Sequence, residues 1–278
     1  MSTYDAVKDL PIEIDGYELG PLEQEVAANF ILKRTVVVLR GGGVWGRGEE
    51  VDYDPAAQER FQARRGEMPF AGRHTLDSFS LLQAGQGEYR RWAFESAALD
   101  LALRQAGLSL ADAVGKPMQP LRFVVSTRSA AVEQWLALVP ELRFKLDPDR
   151  DWSDSLIAHL SSAGCVDTVD FKGIYRAEFG SPPDPELYAR IATAFPNAWI
   201  EDPALTPETL EALADHRDRI TWDAAIHEWS DVEALPFQPR CLNCKPSRFG
   251  SVRRLFDFYD ACERHGVCLL YTSPSPRD

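Results

Sequence analysis

The sequence predicts an α/β protein: a TIM-type (β/α) barrel missing its last strand, behind a small N-terminal α+β domain. Three observations predict it. From Leu121 onward, short apolar runs alternate with helical stretches at the spacing of right-handed βαβ units, which build parallel sheets. Five successive runs then end in a charged residue, at Lys145, Asp170, Glu201, Asp223 and Lys245. A barrel collects its strand C-termini on one rim, and that rim is where barrel chemistry happens. The region before Leu121 lacks the alternation and reads as a few strands followed by helices. The expected division is 1–118 for the first domain, 119–270 for the incomplete barrel, and 271–278 for a non-native or disordered tail.

A chain of 278 residues is long enough for a barrel-sized domain and a small partner. Its formal net charge of -13 opposes binding to nucleic acid or to an anionic membrane. Small anionic substrates stay open, because a local cluster of cations outweighs a distant surface average. Met1 to Leu10 is polar, without the apolar core of a signal peptide. No stretch approaches the ~20 apolar residues of a membrane span. Five cysteines at irregular spacings read as reduced thiols in a cytoplasmic protein.

Residues 12–53 read as an antiparallel unit. Ile12-Glu13-Ile14 alternates, Arg34 to Leu39 is rich in β-branched residues, and Gly41-Gly42-Gly43 with Gly46 and Gly48 punctuates turns. No Gly-Lys-Ser/Thr follows, so the glycines mark a hairpin rather than a phosphate loop. Residues 55–115 are helical in pattern, clearest from Tyr89 to Ala106, where Gly107 is the stop. Glu95 and Asp100 on that helix read as a capping and a surface or interface charge, not as ligands.

The barrel strands are expected at 121–126, 141–146, 166–171, 198–202, 219–223, 240–245 and 266–271. Helices are expected at 130–139, 153–163, 184–195, 207–215 and 250–265. The Ser-Pro repeats at the end cannot supply a further ladder strand. A barrel one strand short keeps two open edges, which predicts self-association into a homo-oligomer or poor solubility.

Strand side chains alternate, so the inward set can be counted back from each terminus. It comprises Arg143 and Lys145; Thr168, Asp170 and Lys172; Trp199 and Glu201; Thr221 and Asp223; and Cys241, Asn243 and Lys245. Asp202 falls outward, as a structural residue. Cys241 and Cys244 fall on opposite faces, against paired thiol chemistry. Asp170, Glu201 and Asp223 lie on successive strands about 4.8 Å apart, where bare carboxylates repel unless neutralised. A hard divalent cation suits them, and Mg²⁺ taking one oxygen from each leaves room for water and substrate. Zinc suits them less, since neither histidine nor cysteine joins the set.

Lys145 and Lys245 flank the trio. Nearby cations, the metal and Arg143 among them, disfavour the ammonium form and make a lysine a usable base. The fitting chemistry is proton abstraction α to the carboxylate of a small substrate, with Mg²⁺ stabilising the enolate. Arg143 and Asn243 are the candidates for substrate binding. A Schiff-base aldolase is a rival reading, as is a non-catalytic protein of the same fold or an inactive fragment.

These residues also stand in recognisable motifs. In the barrel they are Arg143-Phe144-Lys145, Val169-Asp170, Ile200-Glu201-Asp202-Pro203, Trp222-Asp223 and Asn243-Cys244-Lys245-Pro246. Before it come Arg34 to Val38, Gly43 to Glu49, Glu95 to Leu103 and Gly115-Lys116-Pro117. In order and spacing, residues 12–268 resemble the enolase superfamily, in its muconate-lactonizing and o-succinylbenzoate synthase-like subgroup. The resemblance implies a barrel of the enolase kind, an N-terminal capping domain, and a loop around Leu19 to Lys33 that closes over the mouth. It implies that Asp170, Glu201 and Asp223 bind Mg²⁺ and that Lys145 and Lys245 are the acid–base pair. It leaves open dehydration, racemisation or epimerisation of an amino-acid derivative, and cycloisomerisation. Three positions depart from the subgroup: Arg143 replaces a lysine, Lys172 an asparagine, and Ala224 an acidic residue.

Overall fold

A computed structural model of the chain describes residues 2–27, 30–64, 69–128, 131–175 and 182–271. Residues 272–278 of the expected tail lie outside the described residues, while Tyr271 belongs to a strand.

Among its described residues the N-terminal part holds five strands: β1 (Pro11–Ile14), β2 (Gly16–Ala27), β3 (Phe30–Gly41), β4 (Val44–Glu50) and β5 (Gly72–Thr75). Strands β2, β3 and β4 form an antiparallel meander, and β1 pairs antiparallel with β5. Four helices accompany them: α1 (Pro55–Gln62), α2 (Leu76–Leu82), α3 (Glu88–Ala106) and α4 (Leu110–Val114).

Two strands differ from the sequence reading. The segment read as a loop around Leu19 to Lys33 contains the facing arms of a long β2–β3 hairpin. Its Gly20 and Pro21 argue against a strand, but among the described residues β2 pairs with β3 alone, and an edge strand tolerates both. Strand β5 falls where helix was expected. It is short and polar, and its pairing with β1 sets its conformation.

Gly46 and Gly48 lie within β4 and are not turn residues. A Cβ on Gly46 would sit 2.1 Å from the Ala97 carbonyl oxygen, and one on Gly48 2.0 Å from that of Ala93. Their bare backbone lets α3 lie directly on the sheet. Aromatic edges fill the space beyond: Phe94 meets Phe61, Phe70 and Tyr17 with ring centroids 4.9–6.3 Å apart.

The second part alternates strand and helix: β6 (Val124–Thr127), α5 (Glu133–Leu136), β7 (Arg143–Leu146), α6 (Asp154–Ala163), β8 (Val166–Asp170), α7 (Pro185–Ala194), β9 (Trp199–Glu201), α8 (Pro207–Ala212), β10 (Ile220–Thr221), α9 (Trp229–Glu233), β11 (Cys241–Cys244), α10 (Val252–His265) and β12 (Cys268–Tyr271). All seven expected strands are present. Strands β6 to β10 form one parallel sheet in chain order, and β11 pairs parallel with β12. The Asn243 N–H donates to the Trp222 carbonyl at 2.9 Å and carries the wall from β10 to β11. Side-chain caps start the helices: Ser153, Asp184, Thr206 and Ser251 each accept a backbone N–H from the first turn. Helix α5 is a single turn, shorter than expected, and leaves Leu138 81% exposed just beyond it.

Glu95 ties the two parts together. It is fully buried on α3, and its carboxylate accepts Ser80 Oγ at 2.7 Å and Arg91 Nε at 2.6 Å. Its other oxygen accepts the N–H of Val252, the first residue of α10, at 2.9 Å. The expected capping role holds, and it acts across the two domains. Asp100 takes the Arg47 N–H and Arg104 Nε, as an interface charge. Replacing Glu95 with alanine should cost about 3 kcal/mol, because Arg91 and the Val252 N–H lose a buried partner. E95Q keeps one acceptor oxygen and should lose less. Urea denaturation of the two variants checks the order.

Candidate active site

Register sets the level of the site. Asp170 on β8 lies opposite Glu201 on β9, and Glu201 lies opposite Thr221, two residues before Asp223. Lys145 on β7 lies opposite Thr168, one inward step below Asp170. Lys145, Asp170, Glu201, Asp223, Asn243 and Lys245 are all 5% exposed or less.

Each lysine takes one flank of the acidic row. Lys145 Nζ is paired with Glu201 Oε1 and lies 3.0 Å from Asp170 Oδ2. Lys245 Nζ lies 2.9 Å from Asp223 Oδ2 at the other end. Asn243 Nδ2 donates to Glu201 Oε1 at 3.2 Å. Sequence counting had thus found six residues that the fold brings together.

Arg143 does not join them. Its guanidinium donates to Asp167 Oδ1 at 2.8 Å and to the Gly164 carbonyl, at the start of β8 and away from the rim. The strand alternation does put Arg143 in step with Lys145. It sits two residues nearer the N-terminal edge, however, and a closer acid takes it. Arg143 therefore adds no charge beside Lys145.

Asp202 is also not the outward residue that alternation predicts. Strand β9 stops at Glu201, and Asp202 adopts φ 45, which breaks the period-two count. Its carboxylate is fully buried, accepting the Asp223 N–H at 2.8 Å and the Ala224 N–H at 3.0 Å. It clamps the chain that carries Asp223, so its role is structural but inside the site. Lys172 has φ 50 just past β8, the same irregularity one strand earlier. Non-glycine residues seldom hold such angles, and they concentrate at functional sites.

Further groups surround the row that counting from strand ends missed. Arg248 Nη1 lies 2.8 Å from Asp223 Oδ1, and Tyr175 Oη donates to Asp223 Oδ2 at 3.3 Å. Arg248 stands in a 3-10 turn, Pro246–Phe249, where strand periodicity gives no guidance. Asp147, 3.6 Å from Lys172 Nζ, was countable as the next same-face residue after Lys145. His227 faces Glu88 at 3.6 Å, and His159 is exposed and bonded to Glu133. Burial pushes the Cys241 and Cys244 thiols up to about 12, consistent with inert packing groups.

The electrostatics follow from burial and pairing. Burial drives the Glu201 carboxyl well above the usual carboxylate range, against the pull of Lys145 and with added push from Asp170, Asp223 and Asp202. Burial, then Asp223 and Asp170, raises Asp202 to about 7 against its two backbone donors. Burial would also raise Asp170, but Lys145 and Lys172 outweigh it and hold the carboxyl low. Burial would lower Lys145, yet Glu201, Asp170 and Asp223 raise it above the normal lysine value. The carboxylates that touch Lys145 set this direction, and Arg143, bonded to Asp167, takes no part in it.

The donor set fits a hard cation. Glu201, Asp202 and Asp223 each present a buried carboxylate oxygen within 4.8 Å of the others. Glu201 Oε2 is buried with no hydrogen-bond partner among the described residues, an acceptor left open within this acidic group. All the donors are oxygens, as Mg²⁺, Mn²⁺ and Ca²⁺ prefer.

The fold is that of the enolase superfamily. A dipeptide epimerase from Methylococcus capsulatus, complexed with Mg ion, superposes with a TM-score of 0.72 at 18% identity, covering 94% of this chain and 82% of that one. Muconate lactonizing enzyme from Pseudomonas putida gives 0.67 at 16% identity, covering 94% and 80%. A member of the enolase superfamily from Enterococcus faecalis gives 0.67 at 17%, covering 95% and 79%. Family profiles place the sequence more narrowly. The N-terminal domain of a domain of unknown function (DUF8230) matches residues 5–113, and its C-terminal domain matches 117–272. The chain belongs to the DUF8230 family. No curated protein matches it in sequence.

The Asp202 clamp is testable. Asp202→Ala leaves one buried and one part-buried N–H group without acceptors and should cost about 2–4 kcal/mol. D202N keeps one acceptor but turns an amide N–H₂ toward the other donor, so it should fall between wild type and alanine. Guanidinium denaturation gives the ranking.

Proposed function

We propose that this protein is an enzyme that removes the proton α to the carboxylate of a small substrate. In this reading Asp170, Glu201 and Asp223 hold Mg²⁺, and Lys145 and Lys245 are the acid–base pair. One observation carries it: two buried lysines sit at opposite flanks of a single buried carboxylate row.

Bound Mg²⁺ would polarise the substrate carboxylate and draw the acids' charge away from the lysines. The chain's own residues do the rest. Lys145 and Lys245 reach the row from β7 and from the end of β11, with β8, β9 and β10 between them. One lysine takes the α-proton and the other returns a proton from the opposite side. That two-sided arrangement suits 1,1-proton transfer, hence racemisation or epimerisation of an amino-acid derivative. Dehydration and cycloisomerisation need only one of the lysines. Asn243 orients Glu201 through its amide, and Asp202 fixes the backbone of Asp223.

The test is Mg²⁺-dependent exchange of substrate α-protons in D₂O, followed by NMR over N-acyl amino acids, dipeptides and cyclohexadiene carboxylates. Exchange is expected for at least one class, and K145A and K245A should each slow it by about 10²–10⁴-fold. Absence of exchange across the whole set would sink the proposal. Borohydride trapping of a carbonyl compound on either lysine would favour the Schiff-base reading. Glu201→Gln should abolish Mn²⁺ binding measured by electron paramagnetic resonance.

A further inference from the structure

Asp170 and Glu201 are opposite one another in register, yet they differ in what already holds them. Asp170 Oδ2 accepts Lys172 Nζ at 2.9 Å and Lys145 Nζ at 3.0 Å, and its Oδ1 accepts the Lys172 N–H at 3.0 Å. Glu201 keeps Oε2 without a partner. The group of carboxylates close enough to share an ion is Glu201, Asp202 and Asp223, without Asp170.

Lys172 is presented by a constrained backbone. Its φ of 50 lies in the left-handed region, and its own N–H donates back to Asp170 Oδ1. Gly173 follows, where a Cβ would lie 2.2 Å from the Ala204 nitrogen, and the Gly173 N–H donates to the Asp202 carbonyl at 2.8 Å. The side chain is 13% exposed, and its ammonium lies between Asp170 and Asp147. The reaction proposed above makes no use of it.

We infer that Lys172 is a resident counter-cation that competes with a divalent metal for Asp170. An ammonium bonded to a ligand carboxylate repels an incoming divalent ion and occupies one of the oxygens that ion needs. The site therefore binds metal less tightly than the same site without this charge. This rests on the metal-dependent reading above, and it concerns affinity rather than the reaction.

Mn²⁺ is the probe, titrated onto the 278-residue chain and read as free Mn²⁺ by electron paramagnetic resonance. K172N suits the backbone, since asparagine enters the left-handed region more readily than lysine. K172Q is the second variant. Both should bind Mn²⁺ at least about tenfold more tightly than wild type. D170N should weaken binding less in the wild-type background than in K172N, where Asp170 is free to ligate. Folded K172N and K172Q proteins that bind no more tightly than wild type would overturn the inference. If wild type then still binds Mn²⁺ and E201Q does not, the proposed metal site survives and only the role of Lys172 falls. If neither wild type nor the Lys172 variants bind Mn²⁺ while circular dichroism stays native, both fall together.

Discussion

Adjacent parallel strands are held about 4.8 Å apart by their hydrogen bonds, and this spacing forces three acids into one dry space. Asp170, Glu201 and Asp223 come from successive strands and are each 1% exposed. Buried like charges at that distance cannot all persist without compensation. Much of the surrounding structure answers this constraint. Lys145 spans two of the acids, Lys245 and Arg248 grip the third, and Asp202 spends both oxygens on backbone N–H groups. The chemistry proposed for the site grows out of the same arrangement, because groups that relieve the crowding are also the ones able to move protons.

The barrel was legible because its signals are periodic. Seven apolar runs separated by helical ones need no tertiary information to be seen, and strand parity located Lys145, Asp170, Glu201, Asp223, Asn243 and Lys245. Parity failed where the backbone departs from it. Asp202 reverses direction because φ is 45 there, and nothing in Glu-Asp-Pro announces a left-handed residue. Arg143 keeps the right face but the wrong height, and only the nearby Asp167 decides where its guanidinium goes. Arg248 reaches the site from a 3-10 turn, outside any strand count.

In the N-terminal domain the misses have another cause. Strands β2 and β5 are edge or two-stranded elements with polar sequences, and their partners rather than their own composition define them. The glycines of β4 look like turn punctuation, yet they exist to admit the backbone of α3. Composition records that a glycine is present. Only the neighbour shows whether it serves a turn or a close contact.

The contact between Glu95 and the Val252 N–H also orders events in time. Ribosomal synthesis delivers α3 long before α10, and N-terminal units generally fold as they emerge. Glu95 is then set in place 157 positions ahead of the amide it will cap. Its partners within the N-terminal part are Ser80 and Arg91. The N-terminal part thus carries the acceptor for the helix that precedes strand β12, and it is synthesised first.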